Sequence, residues 1–197
     1  MHTSNSDPAS ELSRAVEEYR AGGDLGVLLG ELSRIAQGAD IDALIAAVEP
    51  YRDVSEVAGP VYEHIVAARP TDARALVILA TAYWLSGRGP DVVGELASRA
   101  LSADERNRGA WHLWALTESE LRARVSRWAH VAQRFPDDEL ARANLADNAA
   151  SLASTEHDPE ALQLAIRTYE SLLETAHHPE QRAALDSALA TLRAWKV

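Results

Sequence analysis

The feature that most constrains the fold is residues 73–105, which predict two amphipathic helices joined by a tight turn. Gly87 ends the first helix, and Gly89 followed by Pro90 provides an N-cap and a first helical residue for the second. A lone hairpin cannot bury both of its apolar faces, so neighbouring hairpins of the same kind are expected. The apolar positions follow a helical spacing: Leu76, Leu79, Ala80 and Tyr83 in the first helix, and Val93, Leu96, Ala97 and Ala100 in the second.

Four further helices are predicted before this stretch. The first two span about 8–20 and 25–38, each after an aspartate that suits an N-cap, and they form a hairpin. The third spans about 40–49, where Pro50 disfavours its continuation, and Asp53 is predicted to cap the fourth. The N-terminal part of the chain is therefore predicted to be helical throughout.

A spacing of four, three and five residues recurs along the chain, at intervals close to the length of one helical hairpin. Self-similarity of this kind is the signature of a helical repeat array. The four occurrences are Ala58, Tyr62, Ile65 and Pro70; Val93, Ala97, Ala100 and Glu105; Arg124, Trp128, Val131 and Pro136; and Ala165, Tyr169, Leu172 and His177.

These spacings resemble the tetratricopeptide repeat, whose pattern is W-x2-L-G-x2-Y, then A-x3-F, then P. The resemblance covers roughly residues 40–177. Departures include Glu118 and Ala149 in the tyrosine slot, Arg124 in place of a small residue, and an insertion around 154–158. The filled slots are Leu76, Trp111 and Arg142 at the tryptophan position, Leu79-Ala80, Trp114-Ala115 and Leu145-Ala146 at the leucine-glycine position, and Tyr83 at the tyrosine position.

The resemblance implies an all-α fold, an antiparallel helix-hairpin array of the right-handed α-solenoid type with a C-terminal capping helix. We predict a disordered tail over 1–7, an N-terminal helical hairpin over 8–38, about four degenerate repeats over 39–177 and the capping helix over 178–197. In this last segment Leu185, Leu189 and Leu192 lie on one side of a helix. A coiled-coil seam is the alternative for this helix, but about two heptads are short for one.

Composition narrows the classes of function. The formal net charge of -11 disfavours nucleic acid as a partner, since phosphate binding depends on Lys and Arg, and it favours a neutral or basic protein or peptide. The absence of cysteine removes disulfides, thiolate nucleophiles and cysteine zinc sites. No apolar run is long enough for a membrane span and no secretory signal opens the chain, so no membrane partner is expected and the cytoplasm is the expected compartment.

The sequence gives only weak signals for catalytic or metal-binding residues. His112, Glu118, Glu120 and His130 fall in adjacent helices without the spacing of a known metal site, and His157 with His177 and His178 is similar. We therefore predict no enzyme activity, no metal and no cofactor. Arg124, Arg127 and Arg134 form a possible basic stripe on the eighth helix, for which a solvated outer face is favoured over a contact with nucleic acid or an acidic peptide.

In the resembled family the first helix of each pair lines a concave groove that holds a peptide. Carried over by position, that lining consists here of Val77, Thr81, Trp84, His112, Leu113, Leu116, Ala143, Asn144 and Asp147. Only Asn144 is of the type that clamps a terminal carboxylate in the family, so an acidic C-terminal tail is disfavoured. Trp84 is either the anchor of the groove or part of the packing between repeats.

The predicted function is thus a non-enzymatic scaffold that binds a peptide or protein segment in the groove. Two alternatives from other classes remain open at this stage. One is an α-helical metal-dependent or small-molecule-processing enzyme that uses His112 and its carboxylate neighbours. The other is a structural subunit that associates with itself through a terminal helix.

Overall fold

The computed structural model describes residues 7–195, which form eleven α-helices, one 3-10 turn and no strand. The all-α prediction is confirmed. The predicted tail over 1–7 lies outside the described residues except for Asp7. The helices are α1 (Pro8–Arg20), α2 (Leu25–Gly38), α3 (Ile41–Val48, followed by a 3-10 turn over Glu49–Tyr51), α4 (Ser55–Ala68), α5 (Ala73–Leu85), α6 (Pro90–Ala103), α7 (Arg108–Leu116), α8 (Leu121–Arg134), α9 (Glu139–Glu156), α10 (Pro159–Thr175) and α11 (Pro179–Arg193).

The chain divides into two compact units, residues 1–113 and residues 114–197, and the boundary falls within α7. In the first unit α1 packs on α2 and α3, α2 and α3 both pack on α4, and α4 to α6 pack in chain order. In the second unit α8 packs on α9, α9 on α10 and α10 on α11. Among residues 7–195, none of the helices combines the length and the apolar run needed to cross a bilayer.

The predicted apolar faces form the core of the first unit. The inner-face residues of α5 and α6 are all buried except Tyr83, which is half-buried. Tyr62 on α4 is 2% exposed and is among the largest fully buried side chains of the protein. Burial raises the pKa of its phenol, because the charged phenolate is poorly solvated there. The repeat spacing therefore identified the correct face of each of these helices.

The turn between α5 and α6 has the backbone geometry that its glycines predict. Gly87 adopts a φ of 74° and Gly89 a φ of 90°, values that favour glycine because it has no Cβ. The amide of Gly87 donates to the carbonyl of Trp84, and the amide of Arg88 donates to that of Tyr83. This paired pattern is a Schellman motif, which satisfies the last carbonyls of α5.

Most helices begin at an acidic side chain that accepts hydrogen bonds from the amides of the first turn. These N-caps are Asp7, Asp24, Asp40, Asp72, Glu120, Asp138 and Asp158. The prediction that Asp53 caps α4 is wrong, because the N-cap residue is Val54 and no side chain bonds to the helix end there. The carbonyl of Tyr51 closes the preceding turn by accepting from the Val54 amide, which shifts the start of α4 past Asp53.

The predicted insertion around 154–158 lengthens a helix pair rather than adding a loop. Helices α9 and α10 have 18 and 17 residues, compared with 13 and 14 in α5 and α6. His157 ends α9 in the left-handed conformation with a φ of 52°, and Asp158 caps α10 directly afterwards. After α10, α11 packs on it through the buried Leu189 and Leu192. Its capping role stays a prediction.

We expect Tyr62→Ala to lower the free energy of unfolding by about 3–5 kcal/mol, because a buried aromatic ring is replaced by a cavity. Leu85→Ala is the matched control on the neighbouring helix, since Leu85 is 63% exposed. Its effect should stay within about 0.5 kcal/mol. Urea unfolding followed by circular dichroism measures both, and a loss below about 1 kcal/mol for Tyr62→Ala would contradict the burial.

We also expect Asp72→Ala and Asp53→Ala to differ in stability. Asp72 accepts a hydrogen bond of 3.0 Å from the Ala75 amide, so its removal should cost about 1 kcal/mol of unfolding free energy. The carboxylate of Asp53 is 88% exposed and lies 3.6 Å from Arg52, a surface contact worth about 0.5 kcal/mol or less. Equal losses in urea unfolding would show that the start of α4 has been assigned incorrectly.

Candidate functional site

The predicted groove residues fall in both compact units, and each group is described within its own unit. Val77, Thr81, Trp84, His112 and Leu113 belong to residues 1–113. Leu116, Ala143, Asn144 and Asp147 belong to residues 114–197. The first group includes Trp84, which is 38% exposed.

The outward side of α5 forms an apolar strip, which we call the α5 surface and define as Val77, Ile78, Thr81, Trp84 and Leu85. Trp84 is 38% exposed and Leu85 63% exposed. The hydroxyl of Thr81 donates to the carbonyl of Val77 at 2.9 Å, so its polar group is satisfied within the helix. Because the residues lie on one rigid helix, a ligand would meet a surface that is already ordered.

A cavity of about 260 Å³ adjoins this surface. It is lined by residues that follow the 3-10 turn, by α5 and by the residue before α7. Its lining mixes apolar, charged and amide groups, which is the composition of sites that combine contact area with orientation. The lining residues are Arg52, Asp53, Arg74, Val77, Ile78, Thr81 and Asn107.

Two carboxylates pair with the arginines of the cavity, since Asp53 lies 3.6 Å from Arg52 and Glu49 contacts both Arg52 and Arg74. Glu49 accepts from Arg52 at 3.1 Å and from Arg74 at 2.7 Å. The two guanidinium side chains are 50% and 63% exposed, so solvent screens these pairs and each is weak. A ligand could therefore exchange these contacts at small cost.

The start of α7 lies close against α5 at the edge of the cavity. The side-chain oxygen of Asn107 accepts from the Ala110 amide at 3.1 Å. A Cβ placed on Gly109 would lie 3.0 Å from Cγ1 of Val77, a distance that leaves no room for a larger side chain without movement. Gly109 therefore allows the backbone at the start of α7 to lie close to Val77.

The remaining predicted residues of the first unit are less accessible. His112 is half-buried, and Leu113 is only 7% exposed. Leu113 consequently offers almost no surface to a ligand in this structure. The exposed members of the predicted site in residues 7–113 are Thr81 and Trp84, both on the α5 surface, whereas Val77 is half-buried like His112.

In the second unit, the predicted polar residues already have intramolecular partners. The side-chain amide of Asn144 donates to the backbone carbonyl of Leu140, one turn earlier on α9. The carboxylate of Asp147 accepts from the hydroxyl of Tyr169. Burial, and after it this hydrogen bond, raises the pKa of the Tyr169 phenol, because both disfavour the phenolate. Leu116, at the end of α7, is half-buried.

The prediction that Arg127 lies on a solvated outer face is wrong. Its guanidinium lies 4.6 Å from the centroid of the Trp114 ring and pairs with Glu118 at 2.6 Å. The Arg127 side chain is 29% exposed. Arg124 donates to Asn148 and to the carbonyl of Glu118. These arginines stabilise the second unit and do not form a free basic stripe.

The carboxylates proposed for the alternative metal site also have structural roles. Glu118 pairs with Arg127, and Glu120 caps α8. The amides of Ala123 and Arg122 lower the pKa of Glu120, because they donate to its charged form. The His130 ring contacts the Trp114 ring edge to face, with centroids 6.1 Å apart. Within residues 7–195 no three His, Asp or Glu side chains are grouped as metal ligands would be.

Sequence reasoning missed part of the cavity. Arg74 and Ile78 lie within one helical turn of Val77, so the periodicity that selected Val77 could also have indicated them. Arg52 and Asn107 lie outside helices, and only the tertiary structure brings them to α5. No local sequence signal marks them.

Comparison with known proteins supports the fold. No protein-family model matches the sequence, and no curated protein matches it. A thermophilic TPR protein from Thermus thermophilus is similar in structure, with 18% identity, a TM-score of 0.58, and coverage of 93% of this chain and 99% of that chain. The MamA protein has 14% identity and a TM-score of 0.59, over 88% and 99% of the two chains. The chain therefore has the fold of a tetratricopeptide-repeat-like helical repeat protein, as its sequence predicted.

Proposed function

We propose that this protein is a non-enzymatic scaffold that binds a peptide or protein segment on the α5 surface. The observation that carries the proposal is the exposure of Trp84 and Leu85 on a helix whose preceding turns line a cavity of about 260 Å³. Exposed aromatic side chains beside a pocket are the usual anchors of protein interfaces. The proposal assigns the protein no catalytic step.

The chemistry of the surface suggests how a segment would bind. Apolar side chains of the ligand would cover Trp84 and Leu85, and one side chain would enter the cavity over Val77 and Thr81. At the rim, Arg74 and the neighbouring acids would contribute orientation more than affinity, because their charges remain solvated. The net charge of -11 favours a neutral or basic segment through long-range attraction.

The experiment that tests this proposal selects peptides from a random display library on the immobilised full chain and measures their affinity by fluorescence anisotropy. We expect Trp84→Ala to weaken binding by about 2 kcal/mol, or roughly thirtyfold, because the central anchor is lost. Trp195→Ala is the matched control, since Trp195 is 36% exposed and lies after α11, outside the α5 surface. It should leave the affinity nearly unchanged.

Thermal unfolding of each variant distinguishes lost binding from lost structure. The informative case is a Trp84→Ala protein that melts like the parent. If such a protein binds the selected peptides as tightly as the Trp195→Ala protein does, the α5 surface is not the binding surface.

A further inference from the structure

A second groove lies in the second unit, between α8 and α10 and over α9. We call it the α8–α10 groove; it has a volume of about 380 Å³. The apolar members of its lining include Pro136, Leu145 and Leu164. Arg142, Arg167 and Ser171 supply polar groups, and none of the described residues that line it is acidic. It is separate from the α5 surface, so the inference below does not depend on the proposed function.

The position of this groove follows from the repeat. The first unit has a groove of about 400 Å³ between α4 and α6 whose lining includes Pro70, Leu79 and Val92. These residues stand at the repeat positions of Pro136, Leu145 and Leu164. The backbone of the helix pairs therefore generates the same kind of groove in each unit.

The charges of the two grooves are opposite. In the groove of the first unit, Glu63 and Glu95 accompany a single arginine, Arg99. At the repeat position of Glu95, the α8–α10 groove has Arg167. Its second cation is Arg142, which stands where the tetratricopeptide pattern places an aromatic residue and where Leu76 is fully buried in the first unit. The fold thus does not require a cation at either place.

Arg142 has only weak, uncharged partners. Its guanidinium donates to the hydroxyl of Ser171 at 3.2 Å and to that of Thr175 at 3.5 Å. Its Nε is buried and has no hydrogen-bond acceptor. A partly buried cation without an opposite charge is costly, because hydroxyl groups compensate little of its lost hydration. A carboxylate at the groove would form shorter, charge-assisted bonds to the terminal nitrogens.

Arg167 provides the second cation at the exposed edge of the same groove. Within residues 7–195, no carboxylate forms an ion pair with Arg142 or Arg167, although the chain has 30 acidic and 19 basic residues. The hydroxyl of Thr168, which also lines the groove, donates to the carbonyl of Leu164 on its own helix. Its polar group is therefore already satisfied, and Leu145 and Leu164 provide an apolar part of the lining.

We infer that the α8–α10 groove docks an acidic segment of a partner protein. Two carboxylates of the segment bind Arg142 and Arg167, and an apolar side chain between them packs on Leu145 and Leu164. Charge complementarity selects this occupant, because the groove presents two unpaired cations and an apolar floor and has no acidic lining residue. A neutral or basic segment would leave both cations without a partner.

The test uses a short peptide in which two central leucines are flanked on both sides by glutamates, titrated into the full chain and followed by amide NMR shifts. The shifts should saturate and map to the residues around Leu164 and Arg167. A peptide with glutamine in place of each glutamate should bind at least about tenfold more weakly, because the charge-assisted bonds are lost. Equal binding of the two peptides would overturn the inference.

Variants then locate the contact. Arg167→Gln should weaken binding of the acidic peptide by about fivefold, as expected for one partly exposed charge pair. The matched control is Arg106→Gln, which removes the same charge from an exposed position outside the groove. Equal effects of the two variants would contradict the assignment. Arg167 is exposed, so its variants should fold, whatever Arg142→Gln does to the packing.

Inorganic phosphate distinguishes a docking groove from a simple anion site. We expect phosphate to perturb the Arg142 and Arg167 signals only weakly and to leave Leu145 and Leu164 unchanged, because it has no apolar part to fill the groove. If phosphate saturates the same amides with an affinity equal to that of the acidic peptide, the groove binds small anions, and the docking of a protein segment is wrong.

Discussion

The structure depends on close contact between helices whose facing positions are often alanine. Ala58 on α4, Ala80 on α5 and Ala97 on α6 are all fully buried. A methyl group brings little bulk to such a contact and loses no side-chain entropy on burial, so the helices can approach closely. Larger residues such as Tyr62 and Leu76 then fill the space between successive contacts. The recurring spacing of four, three and five residues in the sequence reflects this alternation of small and large side chains.

Once this packing is in place, it determines which positions remain at the surface. The grooves of the two units use the same repeat positions, with Leu79 and Leu145 as equivalent apolar members. Their chemistry differs because single positions differ, as Glu95 and Arg167 show. A repeat backbone thus supplies a surface of constant shape, and substitutions at a few exposed positions give that surface its ligand preference.

Several polar residues that periodicity places on a surface are used inside their unit instead. Arg127 bonds to Glu118 and stacks on Trp114, and Asp147 accepts from Tyr169. Long side chains can reach neighbouring helices while their Cα atoms lie on an outward face, because a guanidinium or phenol group extends several bonds from the backbone. Helical phase alone therefore separates apolar from polar faces but does not separate free polar groups from paired ones.

The sequence by itself determined the helical fold, because its signals are local and each acts within a few residues. These signals are the capping aspartates, Gly87 and Gly89 at the turn, and the 3.6-residue periodicity of the apolar positions. The sequence left open whether Trp84 is accessible or packed between repeats, and the exposure of this side chain is visible only in the structure. Only the tertiary structure decided that Arg52 and Asn107 join Val77 at one cavity, and that Arg142 is left without a carboxylate. Those outcomes depend on distances between residues far apart in the chain, which are set by how helices pack and leave no mark on the local sequence.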